Sequence, residues 1–399
     1  MLSFLARFAL VLGCFLCAAA LLAHDPPARP DRDGGGDGAG DGRQPLIQLA
    51  ILLDDSGSMN GLIDQARAHI WEVVHELGQT TQDGQVPRLQ VALYHYGDVP
   101  FLHKPLLHFS DDLDEVSRVL FAINGGGGEE RCGEVIRNAV QQLAWSQHPR
   151  DLRLIVIAGN EPFTQGPVDY REAIALARSK DIVVSTIHCG PEAQGVAGKW
   201  ADGARLGGGT FHNINHNARN FDMQAPQDAR IRELNTQLNG TYLAYGAQGR
   251  EARLRQEAQD LNAGNLGASA YANRALVKSG GQYDNRRWDL VDAVAADGDA
   301  LAAIPAAELP EALRGLDAAG RQAAVAEMAA KRQALQAELA QVAQERANFV
   351  QAEQRRLAAG SGDPSLGEAM VSGLRQLAEA KGYISSPAGA PAPQLEAIP

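Results

Sequence analysis

The chain has 399 residues, a formal net charge of −12 and a pI of about 5.3. At roughly 100–200 residues per domain this length predicts two or three units. The acidity argues against a nucleic-acid partner, because displacing phosphate counterions requires basic surface, and against docking on anionic membrane. It is compatible with cations or basic partner surfaces, and simple solubility explains it as well.

The first 23 residues read as a secretory signal. Arg7 is a short charged start, Phe8 to Leu22 is apolar except for Gly13, and Ala18-Ala19-Ala20 or Ala23 offers small residues at cleavage spacing. The run is shorter than the roughly 20 residues of a membrane span; an uncleaved signal anchor is the alternative. Cys14 and Cys17 fall inside it and the run continues past both, unlike a lipoprotein signal. Cleavage would leave Cys132 and Cys189, enough for one disulfide in an exported protein. No other stretch is long and apolar enough to span a membrane. Residues 24–45, rich in Pro, Gly, Asp and Arg, read as a flexible tether to an exported, periplasmic or secreted, body.

Strand and helix patterns then alternate. Leu46 to Leu53, Leu152 to Ala158 and Ile182 to His188 are continuous apolar runs, the mark of parallel strands covered on both faces. Leu89 to Tyr96 is a further strand, Lys104 to Phe109 a short one and Gly209 to Ile214 a weaker one. Leu62 to Leu77, Leu113 to Ile123, Cys132 to Trp145 and Tyr170 to Ser179 carry apolar residues at helical spacing. Such alternation predicts an α/β fold, a doubly wound and mainly parallel sheet wrapped by helices. From about Phe221 the reading is mostly helical: an extension over 221–320, then a long amphipathic, coiled-coil-like helix within 321–384. In that helix Val325, Met328, Leu335, Leu339, Val342 and Phe349 follow a three-four spacing that Arg332 and Arg346 interrupt. The stripe predicts either a homo-oligomer seam over 321–357 or a partner helix within the chain. Residues 385–399 read as a disordered tail.

The strongest chemical signal is Leu52-Leu53-Asp54-Asp55-Ser56-Gly57-Ser58-Met59, between a buried strand and a helix. Ligands of open parallel sheets bind outside the carboxyl ends of the strands. Alternate spacing aims oxygens of Asp54, Ser56 and Ser58 at one point on that rim. A hard cation such as Mg²⁺, or Mn²⁺ or Ca²⁺, takes such oxygens and keeps several waters. The plainer alternative is an Asp/Ser-rich loop capping the next helix.

This motif, with the following helix and LQVALYHYGD, resembles the start of a von Willebrand factor A domain, whose metal-ion-dependent adhesion site opens with Asp-x-Ser-x-Ser. The resemblance spans Leu46 to Ile214, and the domain is drawn over 46–220. It implies a protein-binding module that uses a divalent cation. Two positions depart from the family pattern. Glu129, with Glu130 beside it, stands where the family supplies a Thr, and Gly159-Asn160 stands where it supplies an Asp-Gly pair. The metal set implied is then Asp54, Ser56, Ser58, Glu129 and Asn160, either rebuilt around Glu129 or degenerate and empty. GGGGEERCG and IAGNEPFTQGPVDY resemble a bacterial subgroup of exported proteins with this domain.

Cys132 and Cys189 both fall near that rim, where a disulfide would lock the loop carrying Glu129. A zinc site from these two and His188 has poor ligand count and spacing. His212 and His216 read as polar loop residues, Asp98 as the start of a turn, and Trp200 to Gly203 as packing and turn. No catalytic residue is assigned. The reading is an exported, non-enzymatic module for a protein partner; the alternatives are a metal-free scaffold in an envelope assembly and a metal-dependent hydrolase.

Overall fold

The central strands, Leu46–Leu53, Leu152–Gly159 and Val183–Cys189, form because their residues are buried along their whole length. In a computed structural model, residues 43–97, 104–126, 128, 130–214, 222–357 and 366–385 are described, Ser58 and a few others by backbone alone. The expected signal segment lies outside them, as do nearly all of the tether and the tail. In chain order the sheet half holds β1 (Leu46–Leu53), α1 (Asn60–Gly78), β2 (Thr80–Thr81), β3 (Arg88–His95), β4 (Leu107–Ser110), α2 (Leu113–Phe121) and α3 (Cys132–Gln142). It continues with β5 (Leu152–Gly159), α4 (Tyr170–Ser179), β6 (Val183–Cys189), α5 (Glu192–Ala197), α6 (Trp200–Gly207) and β7 (Gly208–Ile214). The helical half holds α7 (Asp228–Asn239), α8 (Gly246–Leu266), α9 (Ala268–Ser279), α10 (Leu290–Ala296), α11 (Ala300–Ala303), α12 (Glu311–Arg314), α13 (Ala318–Leu357) and α14 (Leu366–Ala380), then β8 (Ile384–Ser385).

The sheet order is β4-β3-β1-β5-β6-β7, with β4 antiparallel and the other strands parallel. This is the doubly wound architecture expected. Ile47, Leu49, Ile51 and Leu53 of β1 join one core cluster with α1 and α2. Ala50 and Leu52 join another with α3, α4 and Trp200 of α6. The chain runs from β1 to β3 on one side and returns to β5 on the other. The crevice outside the ends of β1 and β5 is therefore the switch point where such sheets bind ligands.

The face carrying α1 is completed from far along the chain. Helix α14 packs against α1 and β7, and β8 pairs with β2. Helices α7 to α13 are thus inserted between the last strand of the main sheet and a helix that covers it. Helix α9 also packs on α1, and α8 on α2.

The seam between the two halves is polar and buried. Arg274 of α9 is 1% exposed. Its Nη1 reaches Asp114 of α2 at 2.8 Å, its Nε reaches Asp260 of α8 at 2.5 Å, and its Nη2 donates to the Gln256 carbonyl. Its guanidinium lies 4.6 Å from the Trp71 ring centroid of α1. Tyr283 donates to the other Asp114 oxygen at 2.5 Å, and Lys278 to Asp260 at 2.9 Å. Burial drives the Asp260 carboxyl up, but the charges of Lys278 and Arg274 outweigh it and hold the group below the usual carboxylate range. Burial also pulls Lys278 down to about 8, against the Asp260 charge.

The long helix runs Ala318–Leu357. Its stripe is covered from within the chain: Leu335 and Leu339 belong to the main core, and Val325 packs with α10 to α12. Those residues are unavailable to a second copy. The two arginines that interrupt the pattern pin the helix. Arg332 meets Asp289 and Asp292 at 2.7 and 2.6 Å, and Arg346 meets Asp228 at 2.6 Å. The Trp200 to Gly203 stretch, read as packing and turn, does pack, with Trp200 buried against Phe163, but it opens α6 rather than forming a turn. Among the described residues no helix is long and apolar enough to cross a membrane.

Candidate functional site

Asp54 leaves the end of β1 with its backbone N–H still paired to the Ala158 carbonyl of β5 at 3.0 Å. The chain then turns tightly. Asp54 Oδ1 accepts the Ser56 amide at 2.9 Å, and the Met59 amide closes on the Ser56 carbonyl. Asp54 is 0% and Ser56 3% exposed. The turn passes so near β3 that a Cβ on Gly97 would lie 2.5 Å from the Ser56 nitrogen. Only glycine fits there.

Asp55, beside the motif, has a structural role. Its Oδ1 accepts the Gly97 amide at 2.7 Å, and its Oδ2 lies 2.5 Å from His95 Nδ1. The Gly126 amide donates to its carbonyl. Asp55 thereby ties the ends of β1 and β3 to the loop before α3. Sequence reasoning missed Tyr96 as well. Its hydroxyl donates to the Ala158 carbonyl at 2.8 Å, beneath Asp54. The LQVALYHYG run was the available signal, since its polar members His95 and Tyr96 must find partners once the strand is buried, and His95 finds Asp55.

Among the described residues, two buried oxygens at this crevice have no hydrogen-bond partner, Asp54 Oδ2 and Asn160 Oδ1. Burial pushes the Asp54 carboxyl up to about 7 and the charge of Glu130 adds to this; the Ser56 amide and hydroxyl and the Asn160 amide pull the other way. Glu130 is 4% exposed, and its amide donates to Gln165 Oε1 at 3.1 Å. The structure thus brings Asp54, Ser56 and Asn160 to one crevice, with Glu130 near enough for its charge to act there. The Ser58 side chain and Glu129 lie outside what is described, as do Asp98 and His216.

The expected disulfide is not formed. Cys132 and Cys189 are both free and buried. Each feels the Asp54 charge, but burial is the larger influence and pushes both thiols up. Cys132 is instead in contact with the Tyr96 hydroxyl. His188 is occupied by Asn213 at 2.8 Å. His212 stands in β7, with its Nε2 buried and unpartnered.

The described residues fit a cation only in part. The unpartnered oxygens are of the right kind, since hard cations take carboxylate and amide oxygens. The position that would supply a second acid is closed. A Cβ on Gly159 would lie 2.5 Å from the Tyr96 hydroxyl and 3.0 Å from Asp54 Oδ2. Among the described residues no group of three or more His, Cys, Asp or Glu side chains converges for a metal ion. Gly159→Asp is therefore expected to lower the unfolding free energy by about 1–3 kcal/mol from overpacking. A thermal melt checks this: a variant as stable as the parent would show the position to be open.

Residues 48–213 match the model of the von Willebrand factor type A domain. These residues form a domain of the von Willebrand factor A superfamily. No curated protein matches the sequence. Among solved structures, the domain is similar to proximal thread matrix protein 1 from the mussel byssus, described with a zinc-occupied MIDAS motif. That match has 13% identity and a TM-score of 0.34, and covers 43% of this chain and 42% of that one. The conserved hypothetical protein BatB from Bacteroides thetaiotaomicron is 17% identical with a TM-score of 0.32, covering 42% of this chain and 90% of that one. A von Willebrand factor type A protein from Catenulispora acidiphila is 13% identical with a TM-score of 0.32, covering 43% and 39%. The chain thus spans less than half the length of the mussel protein.

Proposed function

We propose that the chain is an exported, non-enzymatic protein-interaction scaffold whose von Willebrand factor A rim holds its shape without an essential cation. The observation that supports this is the closure of the crevice: Tyr96 and Asp54 fill the space that a side chain on Gly159 would need. An adhesive cation must also keep a position open to an acidic group of the partner, yet Asp54, Ser56 and Glu130 are all under 5% exposed. The rim loops and the inserted helical block then present the binding surface, and the buried Arg274 seam keeps the two in register. The charged start, apolar run and small residues before residue 24 support export. The GGGGEERCG and IAGNEPFTQGPVDY stretches support the bacterial subgroup.

A second reading retains a divalent cation, and the unpartnered Asp54 Oδ2 and Asn160 Oδ1 favour it. The experiment is capture of envelope proteins on the full chain in Mg²⁺ and in chelator. The scaffold reading expects the same partners in both. Partners lost in chelator would support the cation reading, and no partner under either condition contradicts both.

A further inference from the structure

A second site lies at the opposite edge of the sheet. Arg88 opens β3 at the amino end, whereas Asp54 follows the carboxyl end of β1. Beside Arg88 is a cleft of about 610 Å³, walled by the start of α8 and the loop after α9. This is within the range of small-ligand pockets, roughly 300–1,000 Å³.

Two hydrogen-bond donors of this lining have no acceptor. Asn285 is 8% exposed. Its Oδ1 accepts the Trp288 indole N–H at 3.0 Å, which fixes the other end as the amine. Its backbone N–H donates to Asp292 and its carbonyl accepts the Trp288 and Asp289 amides. Nδ2 alone is unsatisfied. Arg255 gives Nη2 to Asp112 at 2.6 Å, while its Nε is buried, unpartnered and 3.9 Å from Glu115. A buried donor without an acceptor carries the full desolvation cost of its N–H.

The charges in the cleft balance. Arg88 and Arg287 share Asp111, Arg255 takes Asp112, Arg286 takes Asp284, and Glu251 completes four acids against four arginines. A cation entering as far as Asn285 and Arg255 meets two unmet donors. A dianion such as phosphate finds no net positive field.

We propose that this cleft binds a single carboxylate group, whose oxygens accept from Asn285 Nδ2 and Arg255 Nε. Arg286 and Arg287 also line the cleft, with side chains 52% and 74% exposed. A peptide's acidic side chain and a free small carboxylate share this chemistry. The site lies apart from the rim and stands whether or not the rim needs a cation.

The test is NMR titration of the ¹⁵N-labelled full chain, following the Asn285 side-chain amide. The probes are acetate, succinate, inorganic phosphate, acetyl-Ala-Glu-Ala-amide and its Gln counterpart. The expected result is a saturable shift with carboxylates and none with the Gln peptide. A tighter response to the Glu peptide than to acetate assigns a peptide source, and an equal response assigns a free carboxylate. Asn285→Asp keeps the acceptor for Trp288 and removes the donor, so affinity should fall at least about tenfold. Arg255→Lys, which keeps the charge near Asp112, is the second variant and should weaken binding in the same direction. No shift up to about 10 mM, above the millimolar range that a few kcal/mol of contact provides, overturns the proposal. So does tighter binding of phosphate, or carboxylate binding unchanged in both variants.

Discussion

Arg274→Met lowers the unfolding free energy by about 3–5 kcal/mol, the usual cost of removing one partner from a buried ion pair. The side chain fills similar space, so lost packing is the smaller part. What remains is Asp114, 3% exposed and still accepting from the Tyr283 hydroxyl, and Asp260 with one cation fewer. Because Asp114 lies on α2 and Arg274 on α9, the loss falls on the seam between the sheet and the inserted helices. Denaturant unfolding measures it. Asp114→Asn in the same background should restore part of the loss, because neighbouring sites in one network are not additive. A change below about 1 kcal/mol, the scale of an exposed ion pair, would show that the seam is not held by this network.

Asp54→Asn has the opposite sign, and its size depends on pH. The carboxyl has an ordinary value of 3.8 and rises to about 7 in the folded chain. Below 3.8 both states are protonated and the group is neutral to stability. Between 3.8 and about 7 the folded chain keeps a proton that the unfolded chain has lost, so stability falls as pH rises, by up to about 1.4 kcal/mol per unit. Above about 7 the cost is complete and constant. In chelator, Asp54→Asn should therefore be more stable than the parent by a few kcal/mol at pH 8, with the gap closing toward pH 4. Melting curves at a series of pH values decide it. A gap independent of pH would mean that the carboxylate is compensated by a group other than those facing it here.

Much of the sheet half was legible because a strand buried on both faces must be apolar along its length, as Leu46 to Leu53 is. The turn at Asp54 was legible because only the end of such a strand places three polar residues on a rim. The seam was not legible. Asp114, Asp260 and Arg274 read as ordinary surface charges on amphipathic helices, and nothing local to Arg332 or Arg346 announces acids roughly 40 to 120 positions earlier. Helix α14 was hidden for a related reason: its apolar face is ordinary, and only the uncovered sheet beside α1 gives it a place. The candidate site was half legible. Spacing located Asp54 and Ser56, and the family resemblance pointed to Asn160, but neither could show that Tyr96 closes the space beside Gly159, or that Cys132 and Cys189 are free buried thiols.

A rim that keeps its form without a bound cation takes up none from solution. Calorimetric titration of the full chain with Mg²⁺ and with Mn²⁺ at pH 8, where Asp54 is ionised, addresses it directly. The account predicts no saturable heat and no change in melting temperature. A single saturable site that disappears in Asp54→Ala would contradict it.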